Sequence, residues 1–337
     1  MARIANSVGL DYHQDAVQVC VENADGRVLG NRKCPNQWEV IRTVAEQFGE
    51  VGSVAIEACT GAADLAEELI QEAGWSVALG HPGFVNRMKQ NPDKTDFSDA
   101  RMLADLVRVG YLPRVWLAPR EVRELRCVTR YRQQLVNERR NAKLRITALL
   151  REHRVGSAPA RRWTRAWRAW LSGLTVLGVP TRRVMERHLI RLEGLKKEIE
   201  EVEDWLAEMT ESDAVVERLR SLKGIGLVTA CVIRAEIGRF DRFQSGKQLA
   251  RFCGLSPRNV SSGTRQADAG LIRAGNPQLR ATLIEAAQRL VRFDPRWKAL
   301  RVRLQRAGKP YNVIVAAVAN RWMRWLFHQV QPEVAAA

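Results

Sequence analysis

Between residues 4 and 34 the chain alternates short apolar runs with polar breaks: IANSVGLD, AVQVCVE and VLGNRKC, the last two joined by NADG. Val-rich runs of this length read as strands, and the Asp-Gly pair marks a hairpin turn. WEVIRTVAEQF then takes up helical spacing. VGSVAIEA reads as a short buried strand, ADLAEELIQEAG as a helix closed by Gly74, and WSVALG as a further strand. Three antiparallel strands followed by alternating helix and strand predict an α/β sheet of the ribonuclease-H-like or actin-like ATPase type. The order of elements does not separate the two.

From about residue 117 the pattern changes. APREVRELRCVTRYRQQLVNERRNAKLRITALLREH holds almost no turn residues, and after the GSAP and SGLTVLGVP interruptions a second long helix is expected. There Leu192, Leu195, Ile199, Val202, Leu206 and Met209 alternate steps of three and four, the a/d rhythm of a coiled coil. The two helices are expected either to fold back on each other or to pair with another subunit, and an ordinary amphipathic core helix fits the same spacing. Residues 211 to 337 read as helical apart from the loop-rich CGLSPRNVSSGTRQADAGLIRAGNP. The expected divisions are 1–116, 117–210 and 211–337, and a chain of 337 residues is long enough for two or three domains.

Charge sharpens this division. The formal net charge is +17, which points to a polyanionic partner, most simply nucleic acid. Lys and Arg number 11 against 16 Asp and Glu in residues 1–116, but 15 against 4 in residues 117–170. An acidic head therefore precedes basic surfaces. No run of 18 apolar residues and no signal-like leader is visible, which predicts a cytoplasmic protein with no membrane contact. Six scattered cysteines without a C-x-x-C pair read as buried reduced thiols rather than a disulfide framework or a zinc site.

The acidic head contains the candidate chemistry. Asp11 ends the first strand and Glu57 ends VAIE, while Asp96 and Asp99 stand three apart at the head of an expected helix, on one face. Four converging carboxylates repel one another unless cations join them. Two Mg²⁺ or Mn²⁺ ions would suit an all-oxygen donor set and phosphoryl transfer. Individually each acid has a plainer reading, Asp96 as an N-cap and Asp99 as a first-turn acid. An actin-like site would need a Gly-rich loop after the first-strand Asp, and DYHQD there has no glycine.

Farther along, LRSLKGIGLVTACVI has a helix-hairpin-helix arrangement, with Lys223, Gly224 and Gly226 at a turn able to meet a phosphate, or simply joining two packed helices. Ser261 and Ser262 sit beside Gly263 between Arg258 and Arg265, where a hydroxyl could attack a phosphate; a plain surface loop has the same composition. Trp163, Trp167 and Trp170 fall on one helical face among arginines, either to stack on bases or to pack. Arg139, Arg140, Lys143, Arg145 and Arg151 are the better candidates for backbone contacts.

Asp11 in GLD, Glu57 in IEAC, KTDFSDA, LKGIG, FCGLSP and SSG followed by AGN and LR together resemble the DEDD transposases of the IS-one-ten group of insertion sequences. The resemblance runs through nearly the whole chain in the family's order. It implies a RuvC-like (ribonuclease-H-like) domain, a coiled-coil helical segment and a mainly α transposase domain. It further implies that Asp11, Glu57, Asp96 and Asp99 hold Mg²⁺ or Mn²⁺, and that Ser262, with Ser261 as fallback, is the nucleophile. Family members act as homo-oligomers with composite sites, on donor and target DNA paired by a structured guide RNA, in the nucleoid of a prokaryotic cell. The rival expectations are a RuvC-like nuclease using metal-activated water, and a nucleic-acid-binding protein with an inactive acidic cluster.

Overall fold

The computed structural model describes residues 5–88, 95–260, 268–272 and 275–330. Two compact units divide the chain, Met1–Pro119 and Arg120–Ala337.

The first unit carries strands β1 (Asn6–Tyr12), β2 (Ala16–Glu22) and β3 (Val28–Pro35), helix α1 (Trp38–Glu46), β4 (Val51–Glu57), α2 (Ala62–Gln71), β5 (Val77–Gly80), α3 (Pro82–Met88), α4 (Asp96–Arg108) and β6 (Arg114–Val115). They form one six-stranded sheet in the order β3-β2-β1-β4-β5-β6. β1, β2 and β3 are antiparallel neighbours, β1–β4 and β4–β5 run parallel, and β6 is antiparallel to β5. The expected hairpins and the later alternation of helix and strand are thus present, and the mixed sheet fits a RuvC-like fold.

Side chains alternate across this sheet as the pleat requires. Val8, Leu10, Val17, Val19, Val54 and Ile56 face one way, packing with Ile41 of α1 and Leu65 and Leu69 of α2. The other face receives α4, with Cys20 against Ala100 and Ala104, and Ala55 in a cluster with Leu103 and Val107. Asp11 is two residues beyond Gly9, and Glu57 two beyond Ala55, so both acids belong to the face that α4 covers.

The second unit is mainly helical: α5 (Arg120–Glu152), α6 (Arg165–Ser172), α7 (Val179–Met209), α8 (Ala214–Arg220), α9 (Leu227–Ile237), α10 (Gly246–Phe252), α11 (Pro277–Phe293), α12 (Pro295–Arg306) and α13 (Tyr311–Val330), with a two-stranded ribbon of β7 (Pro257–Asn259) and β8 (Asp268–Leu271). α5 and α7 fold back on each other within the chain. Leu135 packs with Leu195, Ile199 and Val202, while Arg132 meets Glu203 and Arg191 reaches Glu138 at 2.7 Å, pairings that require antiparallel helices. Five of the six residues of the three-four rhythm are buried; Met209 is 43 % exposed. Leu125 of α5 and Leu206 of α7 join the core that α9 forms with α10, α11 and α13.

Trp163, Trp167 and Trp170 pack together, with ring centroids 4.8 and 6.3 Å apart and Trp167 buried, so the packing alternative holds; the expected common helical face is corrected, because Trp163 precedes the Thr164 cap of α6 with φ +71°. Of the cysteines, Cys20, Cys34, Cys231 and Cys253 are buried and free. Cys59 and Cys127 are also free but exposed, the former just past the end of β4 and the latter on the outer side of α5.

Candidate active site and nucleic-acid interface

The acidic site begins with a missing side chain. A Cβ at Gly9 would stand 1.9 Å from the Ala100 carbonyl oxygen and 2.4 Å from the Ala104 nitrogen. Only glycine lets α4 lie this close to β1, and the close approach brings the start of α4 over Asp11. Thr95 sets that start. Its hydroxyl accepts from the Ser98 amide at 3.2 Å, and Ser98 Oγ returns the contact to the Thr95 amide in a capping box. The sequence reading of Asp96 as an N-cap is corrected here. The hydroxyl one residue earlier takes the cap, and Asp96, first in the helix, turns its carboxylate elsewhere.

That carboxylate meets Asp11 through His13. His13 Nε2 lies 3.2 Å from Asp11 Oδ2 and 3.3 Å from Asp96 Oδ1, and donor atoms of all three residues fall within 4.8 Å of one another. Lys33 Nζ donates to Asp96 Oδ2 at 3.1 Å. Burial raises the Asp11 pKa above the usual carboxylate range; His13 opposes the rise, and the charges of Asp99 and Asp96 add to it. Asp96 is held below its usual range, chiefly by the hydrogen bond from Lys33. Asp99, one turn on, is buried at 6 % exposure. Glu57 follows the Leu10–Ile56 pair of the β1–β4 ladder, so its backbone flanks Asp11. Its carboxylate stands outside the cluster of three; partial burial raises the pKa of the neighbouring Cys59 thiol, and the charges of Glu57 and Asp11 add to the rise.

These residues fit a divalent cation. Like charges crowd a partly buried carboxylate, and the donors are mainly carboxylate oxygens with one imidazole, a set suited to hard or borderline ions. His13 and Lys33 are the residues that sequence reasoning missed. Nothing in the spacing around His13 marks it as a ligand, although its place two residues after Asp11 across a tight β1–β2 turn was available as a signal.

On the second unit, Arg140, Arg145 and Arg151 are exposed along α5, and Arg139 is half-buried. Lys143 is differently placed. Its ammonium lies over the Trp163 ring at 5.2 Å, and burial lowers its pKa. The Gly224–Gly226 turn links α8 to α9 with Lys223 exposed beside it. Gly224 has φ +89°, and a Cβ there would strike Leu290 at 2.7 Å, so the turn requires glycine. Arg258 is exposed on β7. Ser261, Ser262 and Arg265 lie outside the described residues, in the stretch between β7 and β8. Asn276, which ends the AGN that follows, caps α11, accepting from the Gln278 amide at 2.8 Å.

Comparison with known proteins places this geometry in a family. The chain matches an IS110-type DEDD transposase model over residues 8–155 and a model described as "Transposase IS116/IS110/IS902 family" over residues 216–301. It is 30 % identical over 284 residues to a probable family 20 transposase of Pseudomonas aeruginosa, covering 81 % of this chain and 82 % of that protein. It is 27 % identical over 321 residues to the transposase for insertion sequence element IS1111A of Coxiella burnetii, covering 93 % and 86 %. A Yersinia enterocolitica transposase for IS1328 is 28 % identical over 287 residues. Among the described residues no helix is long and apolar enough to cross a membrane. An acidic cluster on a six-stranded sheet, family matches across both units and a relative matched over four-fifths of each chain agree: the chain belongs to the IS110 family of transposases, enzymes that act on DNA and whose DEDD site implies a divalent metal.

Proposed function

We propose that this transposase excises and inserts its element by cleaving and exchanging DNA strands through a phosphoserine intermediate. Asp11, Glu57, Asp96 and Asp99 would hold Mg²⁺ or Mn²⁺, with His13 at the margin of the site. The carrying observation is the meeting of Asp11 and Asp96, from the first strand and from a helix 85 residues later, with carboxylate oxygens within 4.8 Å of each other. A divalent ion bound there would neutralise charge building on the scissile phosphate.

The chain's own groups supply the rest. Thr95 and Gly9 fix the two aspartates of α4 against β1. The Lys33 hydrogen bond favours the charged form of Asp96, the form that would take a cation. Ser262, or Ser261 beside it, provides the nucleophile. Its Oγ–P bond forms as the P–O bond to one deoxyribose breaks; the serine gives up its proton, and the departing sugar oxygen takes one up. Reversal with the hydroxyl of another strand restores a phosphodiester and frees the serine. Arg258 and Arg265 flank the serines and would offset phosphate charge.

The reading retains three parts: a RuvC-like domain over 1–116, a coiled-coil helical segment over 117–210, and a transposase domain over 211–337. Arg139, Arg140, Lys143, Arg145 and Arg151 serve nucleic-acid backbones, with Lys143 the weakest of them because Trp163 already engages it. The Lys223, Gly224 and Gly226 turn acts as a helix-hairpin-helix phosphate contact. A structured guide RNA pairs donor with target, and a homo-oligomer completes each site by bringing one subunit's serine to another's carboxylates. A nucleoid location follows from these partners.

Incubation with a DNA substrate bearing the element ends, followed by denaturing electrophoresis, tests the reading. It expects a covalent protein–DNA adduct that needs a divalent ion and vanishes in Ser262→Ala, or in Ser261→Ala if that neighbour is the nucleophile. Hydrolysed ends without an adduct would point to a water-using nuclease instead.

A further inference from the structure

From Pro295 to Val330 the sequence holds eight Lys and Arg residues and not one Asp or Glu. The nearest acid, Asp294, is occupied in capping α12, where its carboxylate accepts from the Arg296 amide at 3.0 Å. The cations of α12 divide into two sets. Arg296 lies 5.9 Å from the Trp297 ring and 5.4 Å from Trp325, and Arg301 lies 6.0 Å from Tyr311, so both are engaged with aromatic rings. Lys298, Arg303 and Arg306 are exposed, with no ion pair among the described residues, and line one shallow groove with Pro295, Ala299 and Val302.

We infer that this face of α12 is a further docking surface for duplex DNA, separate from the α5 cations and the Gly224–Gly226 turn. From Lys298 to Arg306 the helix rises about 12 Å at ~1.5 Å per residue. That rise is on the scale of several phosphates of one strand, which succeed one another at about 3.4 Å along the duplex axis. No aromatic ring on the face offers a stacking platform: its uncharged lining is Pro, Ala and Val, and Trp297 is turned inward and buried. Three cations without an aromatic platform suit contact with the phosphate backbone, which favours a duplex over a splayed single strand. A membrane surface fits less well. The apolar anchor of α12 is already buried, and Val302 at 39 % exposure is the only large apolar residue in the groove open to solvent. The inference rests on the family's action on DNA and not on the metal site or the serine.

The test uses the full chain in EDTA, so that no cleavage contributes, and a Lys298→Gln, Arg303→Gln, Arg306→Gln triple variant. Binding to duplex DNA, duplex RNA and single-stranded DNA of equal length is followed by anisotropy against KCl concentration. The triple variant is expected to bind duplex more weakly, with a log–log salt slope lower by about 2–3 and each single variant contributing about 1. Loss on the DNA duplex upholds the inference, and loss confined to the RNA duplex overturns it by assigning the face to an RNA partner. Unchanged duplex affinity and slope in a normally folded variant overturn it. So does a loss seen only as weaker sedimentation with phosphatidylserine-containing vesicles.

Discussion

Gly9 of β1 lies directly beneath Ala100 of α4, so close that a methyl group on Gly9 would stand 1.9 Å from the Ala100 carbonyl oxygen. The relationship links an unassuming sequence feature to the site's chemistry. Three residues in the second half of β1, Gly9-Leu10-Asp11, supply the close approach, a core side chain and an acid in turn. Gly9→Ala must push α4 off the sheet. Overpacking of this kind costs about 1–3 kcal/mol, and because α4 carries Asp96 and Asp99 the same shift should weaken divalent-ion binding. Urea denaturation and Mn²⁺ titration of the variant check both effects; stability and affinity equal to the parent would contradict the packing account.

Thr95→Ala removes the cap that starts α4. Loss of such a cap typically costs about 1 kcal/mol. The effect should be smaller in Thr95→Ser, which keeps the hydroxyl accepting from the Ser98 amide, and equal losses in the two variants would show that the capping bond is not the cause.

Glu22 gives a pH dependence of stability. Its carboxylate is 1 % exposed, with Arg101 and Arg108 nitrogens 3.7 and 3.6 Å away. Burial, with Asp105 adding to it, raises its pKa despite these arginines. A group whose folded pKa is raised contributes stability that is fully present below its unfolded pKa and is lost as pH rises through the folded value. Glu22→Gln copies the protonated form at all pH values. The melting-temperature difference, variant minus parent, should therefore grow more positive from pH 4 to pH 8, and a difference that shrinks with rising pH contradicts the assignment.

The hairpin separates structural from binding roles. Gly224→Ala should destabilise the second unit, because φ +89° and Leu290 both oppose a side chain. Lys223→Ala should leave the melting temperature unchanged and lower the salt slope of duplex binding by about 1. A Lys223 variant with an unaltered slope would remove that residue from the interface.

Much of the first unit was legible because its signals are local. Strand alternation, the Asp-Gly turn and the strand-ending positions of Asp11 and Glu57 are properties of short windows, and they are found where the sequence places them. The i,i+3 spacing of Asp96 and Asp99 likewise survives as one turn of α4. What escaped depends on contacts distant in the chain. His13 joins the acids only because β1 and β2 turn tightly and α4 arrives from residue 96, and Lys33 reaches Asp96 from the far strand of the hairpin. The Thr95 cap was masked by a neighbouring Asp that is itself a good capping residue. The three-four rhythm of α7 left open whether its partner was in the same chain; Arg132–Glu203 and Glu138–Arg191 answer that with pairings no periodicity encodes. The exposed cations of α12 are not legible from net charge over the C-terminal half, because the acids of α7 offset them.

Mn²⁺ binding followed by electron paramagnetic resonance tests most directly whether the acids share a cation, without DNA, RNA or turnover. Free-ion signal should fall on adding the parent protein, and far less with Asp11→Asn or Asp96→Asn variants that keep the parent's melting behaviour. Binding that is undiminished when both aspartates are replaced by asparagine would contradict the account.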